Sequence, residues 1–352
     1  VARKYPIARF LPTAVVEAAM RVKKPVVVSQ IQGVRSLTGA ETEGWFIGCP
    51  LTPKQMVESL PIAHVYGKIV DCAKLAADQG AQLIGLGAFT SVVGDGGITI
   101  AKHSPIPVTT GNSYTVATAI QGTLRACSEL DMDVANSTLA VVGATGSIGR
   151  TCAKVLSRSF GATILIGRDE DRTAELAAEI PGSQASTRVE DIGKADAVVT
   201  VTSAGKELIL PEHLKPGAVV CDVARPRDVS VRVAKERPDV LVIEGGVVKV
   251  PGDVDYNFDF GFPGQTAYAC MSETMLLALE GDPSLFNFTL GKDVSVEQVD
   301  RITQLADKHG FTLAGFRSFE REVDQEAISR AKKARTTSGA IPRVFSGLGD
   351  AI

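Results

Sequence analysis

Two patterns in this sequence of 352 residues are suited to chemistry. The first is Leu139-Ala-Val-Val-Gly143-Ala-Thr-Gly146-Ser-Ile-Gly149-Arg150, an apolar run followed by glycines at i, i+3 and i+6. Glycines permit a tight turn and close backbone approach to a pyrophosphate, whose charge rests on the N–H groups and positive dipole end of the helix that follows. Gly143, Thr145, Gly146, Ser147, Ile148 and Gly149 are thus the candidate cradle for a dinucleotide. An ordinary strand-to-helix turn is the competing reading, and the strand and helix signals on either side favour the dinucleotide.

The next apolar run ends in Ile164-Leu-Ile-Gly-Arg168-Asp169, where an NAD-binding chain places an acid for the ribose hydroxyls. Arg168, with Arg172 beyond it, offers a guanidinium that can pair with a 2′-phosphate, so NADPH is the expected cofactor; Asp169 leaves the ribose contact open. Thr202 and Ser203 in Val201-Thr-Ser-Ala-Gly205, and Val223 in Asp222-Val-Ala-Arg-Pro226, close two further strands and are candidate cofactor contacts, with plain surface loops as the alternative.

The second pattern is a thiol. Cys270 stands in Gln265-Thr-Ala-Tyr-Ala-Cys270-Met-Ser-Glu-Thr-Met275, early in a helix expected from Gln265 to Leu279. Unpaired N–H groups at a helix start stabilise a thiolate, which would make a nucleophile. Position alone also suits a small core residue between Ala269 and Met271. Cys152, after the glycine loop, and Cys221, inside an apolar strand, are poorer candidates because apolar surroundings raise a thiol pKa. His64, His103, His213 and His309 are scattered, and none pairs with another ligand at metal spacing, so no metal is expected.

The elements that must position these residues follow from periodicity. Before residue 132 short apolar runs alternate with helices: strands at Pro25–Ser29, Gly44–Gly48, Gln82–Leu86, Ile98–Ile100 and Ile106–Val108, and helices at Thr52–Ala63, Ile69–Gln79 and Tyr114–Leu130. From Ser137 regular βα units take over, with strands at Thr138–Val142, Thr163–Ile166, Ala197–Val201, Ala218–Asp222 and Val240–Ile243 and helices at Arg150–Phe160 and Arg172–Ile180. Helices are further expected at Ser295–His309 and Phe319–Ala334. The fold class expected is α/β, a Rossmann-like doubly wound parallel sheet plus an N-terminal α/β catalytic domain. The boundaries expected are 1–132 for the catalytic and substrate domain, 133–264 for the NADPH domain, 265–335 for helices returning to the first domain, and 336–352 for a tail.

Lys and Arg total 37 against 40 Asp and Glu, a net charge of −3 that speaks against non-specific nucleic-acid binding. No apolar run reaches the ~18 residues that span a bilayer, and the six dispersed cysteines suit reduced thiols in a cytoplasmic protein. The sequence opens Val1-Ala-Arg-Lys-Tyr5 without Met, as expected where the first residues are missing.

Leu86-Gly-Ala-Phe-Thr-Ser91, Thr109-Thr-Gly-Asn112, the glycine loop, Glu244-Gly-Gly-Val-Val248 and Ala267-Tyr-Ala-Cys-Met-Ser-Glu-Thr-Met-Leu-Leu-Ala-Leu-Glu-Gly281 together resemble the long-chain acyl-[acyl-carrier-protein] reductases of the cyanobacterial type, over roughly Val26 to Gly315. The resemblance implies NADPH-dependent reduction of a fatty-acyl thioester to an aldehyde through an acyl-enzyme, with the nucleophile on Cys270. Thr110, Asn112 or Ser113 could then hold the developing oxyanion. Where the cyanobacterial pattern has Thr-His after Thr-Gly-Asn, this chain has Ser113-Tyr114, which points to a relative outside that group. The acyl donor is then an acyl carrier protein or a CoA ester, and an aldehyde-consuming enzyme is a further possible partner. An acidic carrier protein requires a basic face, for which Arg3, Lys4, Arg9, Arg21, Lys23, Lys24, Arg330, Lys332, Lys333 and Arg335 are candidates beside the plainer reading of solvated side chains. The rival readings are a shikimate- or amino-acid-type dehydrogenase that passes hydride directly to a ketone or imine, and a non-catalytic NADPH-binding regulator.

Overall fold

A computed structural model describes residues 13–262 and 264–339. The chain divides into two compact units, one made of residues up to Thr118 with Gly246–Gly315, the other of Ala119–Gly245 with the residues from Phe316 onward. Chain therefore passes between units at 118 and 245, where the sequence suggested 132 and 264, and the segment expected to return whole to the first unit is divided at 315.

The second unit is a Rossmann-like α/β domain. Its six parallel strands run in the order Leu241–Glu244, Val219–Asp222, Ala197–Thr200, Thr138–Val142, Ala162–Ile166, Ser183–Ser186. Numbered along the unit this is 6-5-4-1-2-3, the doubly wound order, which reverses between the first and fourth strands. Both faces are covered: Val142, Ile166, Val198 and Val220 belong to one apolar cluster, while Leu139, Val141, Leu165 and Val199 on the other face are fully buried. That explains why these strands read as unbroken apolar runs. Ser183–Ser186 was not among the expected strands, because Ser183-Gln-Ala-Ser has no apolar side to signal a buried edge.

The first unit packs an antiparallel hairpin, Val26–Arg35 with Glu41–Gly48, near a three-stranded sheet of Thr266–Tyr268, Val247–Lys249 and Thr312–Leu313. Its core gathers Leu51, Met56, Val65, Ile69, Leu86, Ile100 and Val108. Several expected elements differ. Pro61 caps a helix that runs unbroken over Ile62–Asp78, so the expected Thr52–Ala63 helix shrinks to a single turn, Gln55–Ser59. Proline has no N–H to continue a helix but suits its first positions. Ile98–Ile100 is the start of the helix Ile98–His103 and not a strand; Ile100 is buried and Ile98 exposed, an alternation that three residues cannot assign to one period.

In the second unit the expected helix Phe319–Ala334 gives way to a tight hairpin, Arg317–Ser318 with Arg321–Glu322, and a helix over Gln325–Gly339. The start of the expected tail is thus helical to 339, and 340–352 lie outside the described residues, as do Arg3, Lys4 and Arg9. Among the described residues no helix is long and apolar enough to cross a membrane.

Candidate active site

In the first unit the segment around Cys270 departs from the sequence expectation in a way that bears on chemistry. Gln265–Leu279 is not one helix: Thr266–Tyr268 is a strand paired with Val247–Lys249, and the helix begins only at Ala269. Cys270 is thereby the second helical residue, deeper in the dipole-bearing first turn than its sequence position suggested. The junction is fixed by the Ala269 N–H, which donates to the Gly246 carbonyl at 2.7 Å.

The helix Ala269–Glu280 is apolar on most sides, as expected of a helix with neighbours all round. Ser272, Glu273, Leu276 and Leu277 are buried in the unit, whereas Cys270, Met271, Thr274, Met275 and Ala278 line a cavity of about 840 Å³. Its opposite walls are largely apolar, with Phe46 from the hairpin, Ile69, Cys72 and Ala76 from the helix Ile62–Asp78, and Leu86 and Phe89, while Glu41, Glu43 and Gln82 also reach the lining. Cys270 is half-buried there.

Within the unit, Ile84–Gly85 and Gly111 lie against this helix. Ile84–Gly85 pairs in parallel with Val108–Thr109, and the Leu86 N–H donates to the Thr109 carbonyl at 2.8 Å. Gly111, at φ +74°, lies so close to the thiol's residue that a Cβ built on it would stand 2.3 Å from Cys270 Cα and 2.5 Å from its Cβ. No side chain fits at 111. Ala88, within Leu86–Ser91, takes φ +50° and ψ −129°, a conformation that costs an alanine about 1–3 kcal/mol and persists where the surroundings impose it.

Glu273 organises this loop. Its fully buried carboxylate accepts from Thr109 Oγ1 at 2.5 Å and from the Tyr114 N–H at 2.9 Å. Burial pushes its pKa up against the pull of those hydrogen bonds. The Thr110 N–H donates to the Thr289 carbonyl at 2.9 Å, and the hydroxyls of Ser113 and Thr289 are 2.6 Å apart. Of the three oxyanion candidates, Ser113 therefore has its hydroxyl engaged. Thr110 Oγ1 is buried without a partner among the described residues, and Asn112 opens the helix Asn112–Glu129. None of the three lines the cavity that holds Cys270. Tyr114 is buried, and desolvation raises its phenol, so it stays protonated at neutral pH and is no proton acceptor.

Sequence reasoning missed Gly111, Glu273 and a second thiol of this cavity, Cys49. That residue is half-buried, and a hydrogen bond with Cys72 lowers its pKa. The other four thiols are unsuited: the hydrogen bond with Cys49 and burial raise Cys72, and burial pushes Cys221 and Cys127 up to about 12 and raises Cys152 further.

In the second unit the glycine loop follows the first strand, at the point where the strand order reverses. Gly143 takes φ +82°, and a Cβ there would meet Val201 and Thr202 at 3.2 Å; one on Gly149 would stand 2.2 Å from the Gly143 carbonyl oxygen. The first glycine thus serves the turn and the third the close approach of the helix Ser147–Leu156 to the strand. Ser147 Oγ, in the first turn of that helix, is buried with no hydrogen-bond partner among the described residues. Such a cradle fits the pyrophosphate of a dinucleotide; Thr145 and Ile148 lie within it, both half-buried.

Arg168 and Arg172 are exposed beyond the strand Ala162–Ile166. Asp169 is committed elsewhere: it caps the helix Glu170–Glu179, its carboxylate accepting from the Arg172 N–H at 3.0 Å. One oxygen of the exposed Asp169 carboxylate is thus taken up by the cap, while Arg168 stands exposed beside it. Thr202 is held by buried Asp228, which accepts from its hydroxyl at 2.6 Å and its N–H at 2.9 Å. Ser203 is exposed and Val223 half-buried at the neighbouring strand ends.

Asp222, at the end of its strand, accepts from the Ala224 and Val229 N–H groups at 3.0 Å, yet burial pushes its pKa up to about 6. A carboxyl raised on folding stabilises the fold fully below its unfolded pKa and loses that contribution as pH rises through the folded value. Stability of the second unit is therefore expected to fall between about pH 4 and pH 6, by up to about 3 kcal/mol at 1.36 kcal/mol per unit. Urea unfolding across that range, monitored on wild type and Asp222→Asn, should show the slope in the first and its loss in the second.

The expected basic faces fare unequally. Arg21 and Lys24 are exposed in the first unit. In the second unit Arg330, Lys332 and Arg335 pair with Glu326, Asp131 and Asp196. Among the described residues no cluster of His, Cys, Asp and Glu could hold a metal ion.

Comparison with known proteins matches residues 125–244 to the family model of shikimate / quinate 5-dehydrogenase. Over 302 residues the chain is 28% identical to the long-chain acyl-[acyl-carrier-protein] reductase of Synechococcus elongatus, covering 82% of this chain and 87% of that protein. It is 33% identical over 313 residues to aminotransferase PigE of a Serratia species, covering 85% of this chain and 36% of that one, so it spans little more than a third of PigE's length. Among solved structures, glutamyl-tRNA reductase from Methanopyrus kandleri aligns with TM-score 0.31 and 21% identity over 57% of this chain and 53% of its own.

Proposed function

We propose that this chain is a nicotinamide-dependent oxidoreductase that reduces a long-chain acyl thioester to an aldehyde through an acyl-enzyme on Cys270. The observation that carries the reading is a half-buried thiol in the first turn of a helix, opening onto a largely apolar cavity of about 840 Å³ within one unit. That volume falls in the ~300–1,000 Å³ of ordinary ligand sites. The similarity to the Synechococcus elongatus reductase runs across both units and so supports the same chemistry, whereas the shikimate / quinate match ends at residue 244, before the thiol.

In this mechanism Cys270 Sγ attacks the thioester carbonyl, and the carrier thiol leaves, which splits a difficult reduction into two easier steps. The helix start stabilises the thiolate both in attack and when the reduced adduct collapses and releases aldehyde. The apolar walls, Phe46, Ile69 and Leu86 among them, hold the acyl chain and exclude water from the acyl-enzyme. Gly143, Gly146 and Gly149 with Ser147 hold the cofactor pyrophosphate, and the bound nicotinamide supplies hydride. Arg168 reads a 2′-phosphate, which makes NADPH the cofactor. Arg168→Ala should accordingly raise the KM for NADPH about tenfold, the value of one charge-assisted hydrogen bond, and leave that for NADH within twofold. Equal effects on both cofactors would remove the assignment.

The acyl donor is an acyl-carrier-protein or CoA ester, the first drawn to Arg21 and Lys24. The test is direct: wild-type protein with long-chain acyl-carrier-protein or acyl-CoA and NADPH should form aldehyde, measured by mass spectrometry against cofactor oxidation. Cofactor oxidation with ketones or imines and no aldehyde from either thioester would replace this reading with direct hydride transfer.

A further inference from the structure

Thr274 stands one helical turn after Cys270, and both line the cavity. Residues four apart on a helix share a face, with Cβ atoms about 5–6 Å apart. Thr274 Oγ1 is buried and has no hydrogen-bond partner among the described residues. An orphaned buried hydroxyl is a liability that folds rarely retain without use. Room has been made for it: a Cβ on Gly85 would stand 2.0 Å from Thr274 Oγ1. Gly85 is not among the residues at positive φ, so its backbone does not demand glycine and what it supplies is space for this hydroxyl. The alternatives within the unit are less well placed. Ser113 is bonded to Thr289, and Thr110, though also orphaned, does not line the cavity.

We propose, resting on the acyl-thioester reading above, that Thr274 is a catalytic residue whose hydroxyl donates a hydrogen bond to the acyl oxygen when Cys270 adds to the carbonyl. As the Sγ–C bond forms, the carbonyl π pair moves onto oxygen beside Thr274. When that pair returns, the bond to the carrier sulfur breaks, and the thiolate leaves with its electron pair and takes a proton from water. The hydroxyl now rests against Gly85 with almost no accessible surface, so a turn about χ1 brings it to the acyl oxygen, where a donor strengthens as charge develops and lowers the barrier.

The experiment is single-turnover acylation of wild type, Thr274→Val and Thr274→Ser by palmitoyl-CoA without NADPH, followed by intact-protein mass. Valine keeps the shape and removes the donor, so Thr274→Val should acylate about 100- to 1,000-fold more slowly. Its thermal midpoint should be unchanged or higher, because an unsatisfied hydroxyl has been deleted. Thr274→Ser, which restores the donor, should come within a few-fold of wild type. A Thr274→Val variant acylated within twofold of wild type overturns the role of Thr274 and leaves the acyl-enzyme reading standing. Wild type that forms no adduct with palmitoyl-CoA or with palmitoyl-acyl-carrier-protein run in parallel overturns the acyl-enzyme reading itself.

Discussion

Cys270→Ala binds the reduced cofactor as wild type does but forms aldehyde at least about a thousandfold more slowly, the scale on which removing a nucleophile acts. The glycine loop proposed to hold the cofactor lies in the other unit, so cofactor binding is a separate readout of folding. The substitution removes one sulfur from a half-buried site on a cavity wall, so little packing is lost and the thermal midpoint should stay within a few degrees. A direct-transfer dehydrogenase has no use for the thiol and would keep its activity in this variant. Cys49→Ala is the paired control: it shares the cavity and has a lowered pKa, yet sits at no helix start, so aldehyde formation should persist.

Gly111→Ala is expected to lower turnover at least about a hundredfold, the loss that a misplacement near 1 Å brings. Two effects combine. An alanine held at φ +74° costs about 1–2 kcal/mol of backbone strain, and its Cβ would overlap backbone atoms of Cys270 that no side-chain rotation can move away. Either the Thr109–Tyr114 loop or the start of the Cys270 helix must shift. Glu273, bonded to Thr109 and Tyr114 and rooted three residues after Cys270, resists the first, so the shift falls on the thiol. Gly39→Ala separates the two effects, since Gly39 takes φ +86° with nothing within 4 Å of its Cβ. That variant should lose a comparable amount of stability and none of the turnover.

The second unit was largely legible in the sequence. Its inner strands are buried on both faces, so Leu139–Val142 and Ala197–Val199 declare themselves as apolar runs, and the glycine spacing marks the loop between strand and helix. The edge strand Ser183–Ser186 left no such trace. In the first unit local signals conflict more often. Gln265–Leu279 reads as one amphipathic segment, and only pairing with Val247–Lys249 makes its first residues a strand. Cys270 could be singled out, but its partners could not. Gly111 looks like any loop glycine until its neighbour across space is known, and Glu273 and Thr274 look like helix-surface residues between apolar ones. The burial of Glu273 and of the Thr274 hydroxyl is a tertiary fact, and the converse signal, polar residues at i+3 and i+4 from a cysteine on a helix too apolar to be a surface helix, is readable only afterwards.

The most direct test of the account is where the acyl group goes. Incubation with a long-chain acyl thioester in the absence of NADPH, followed by proteolysis and peptide mass spectrometry, should find the acyl mass on the peptide containing Cys270 and its disappearance, with aldehyde released, when NADPH is added. An acyl group on Cys49, or an adduct that NADPH does not discharge, would contradict it.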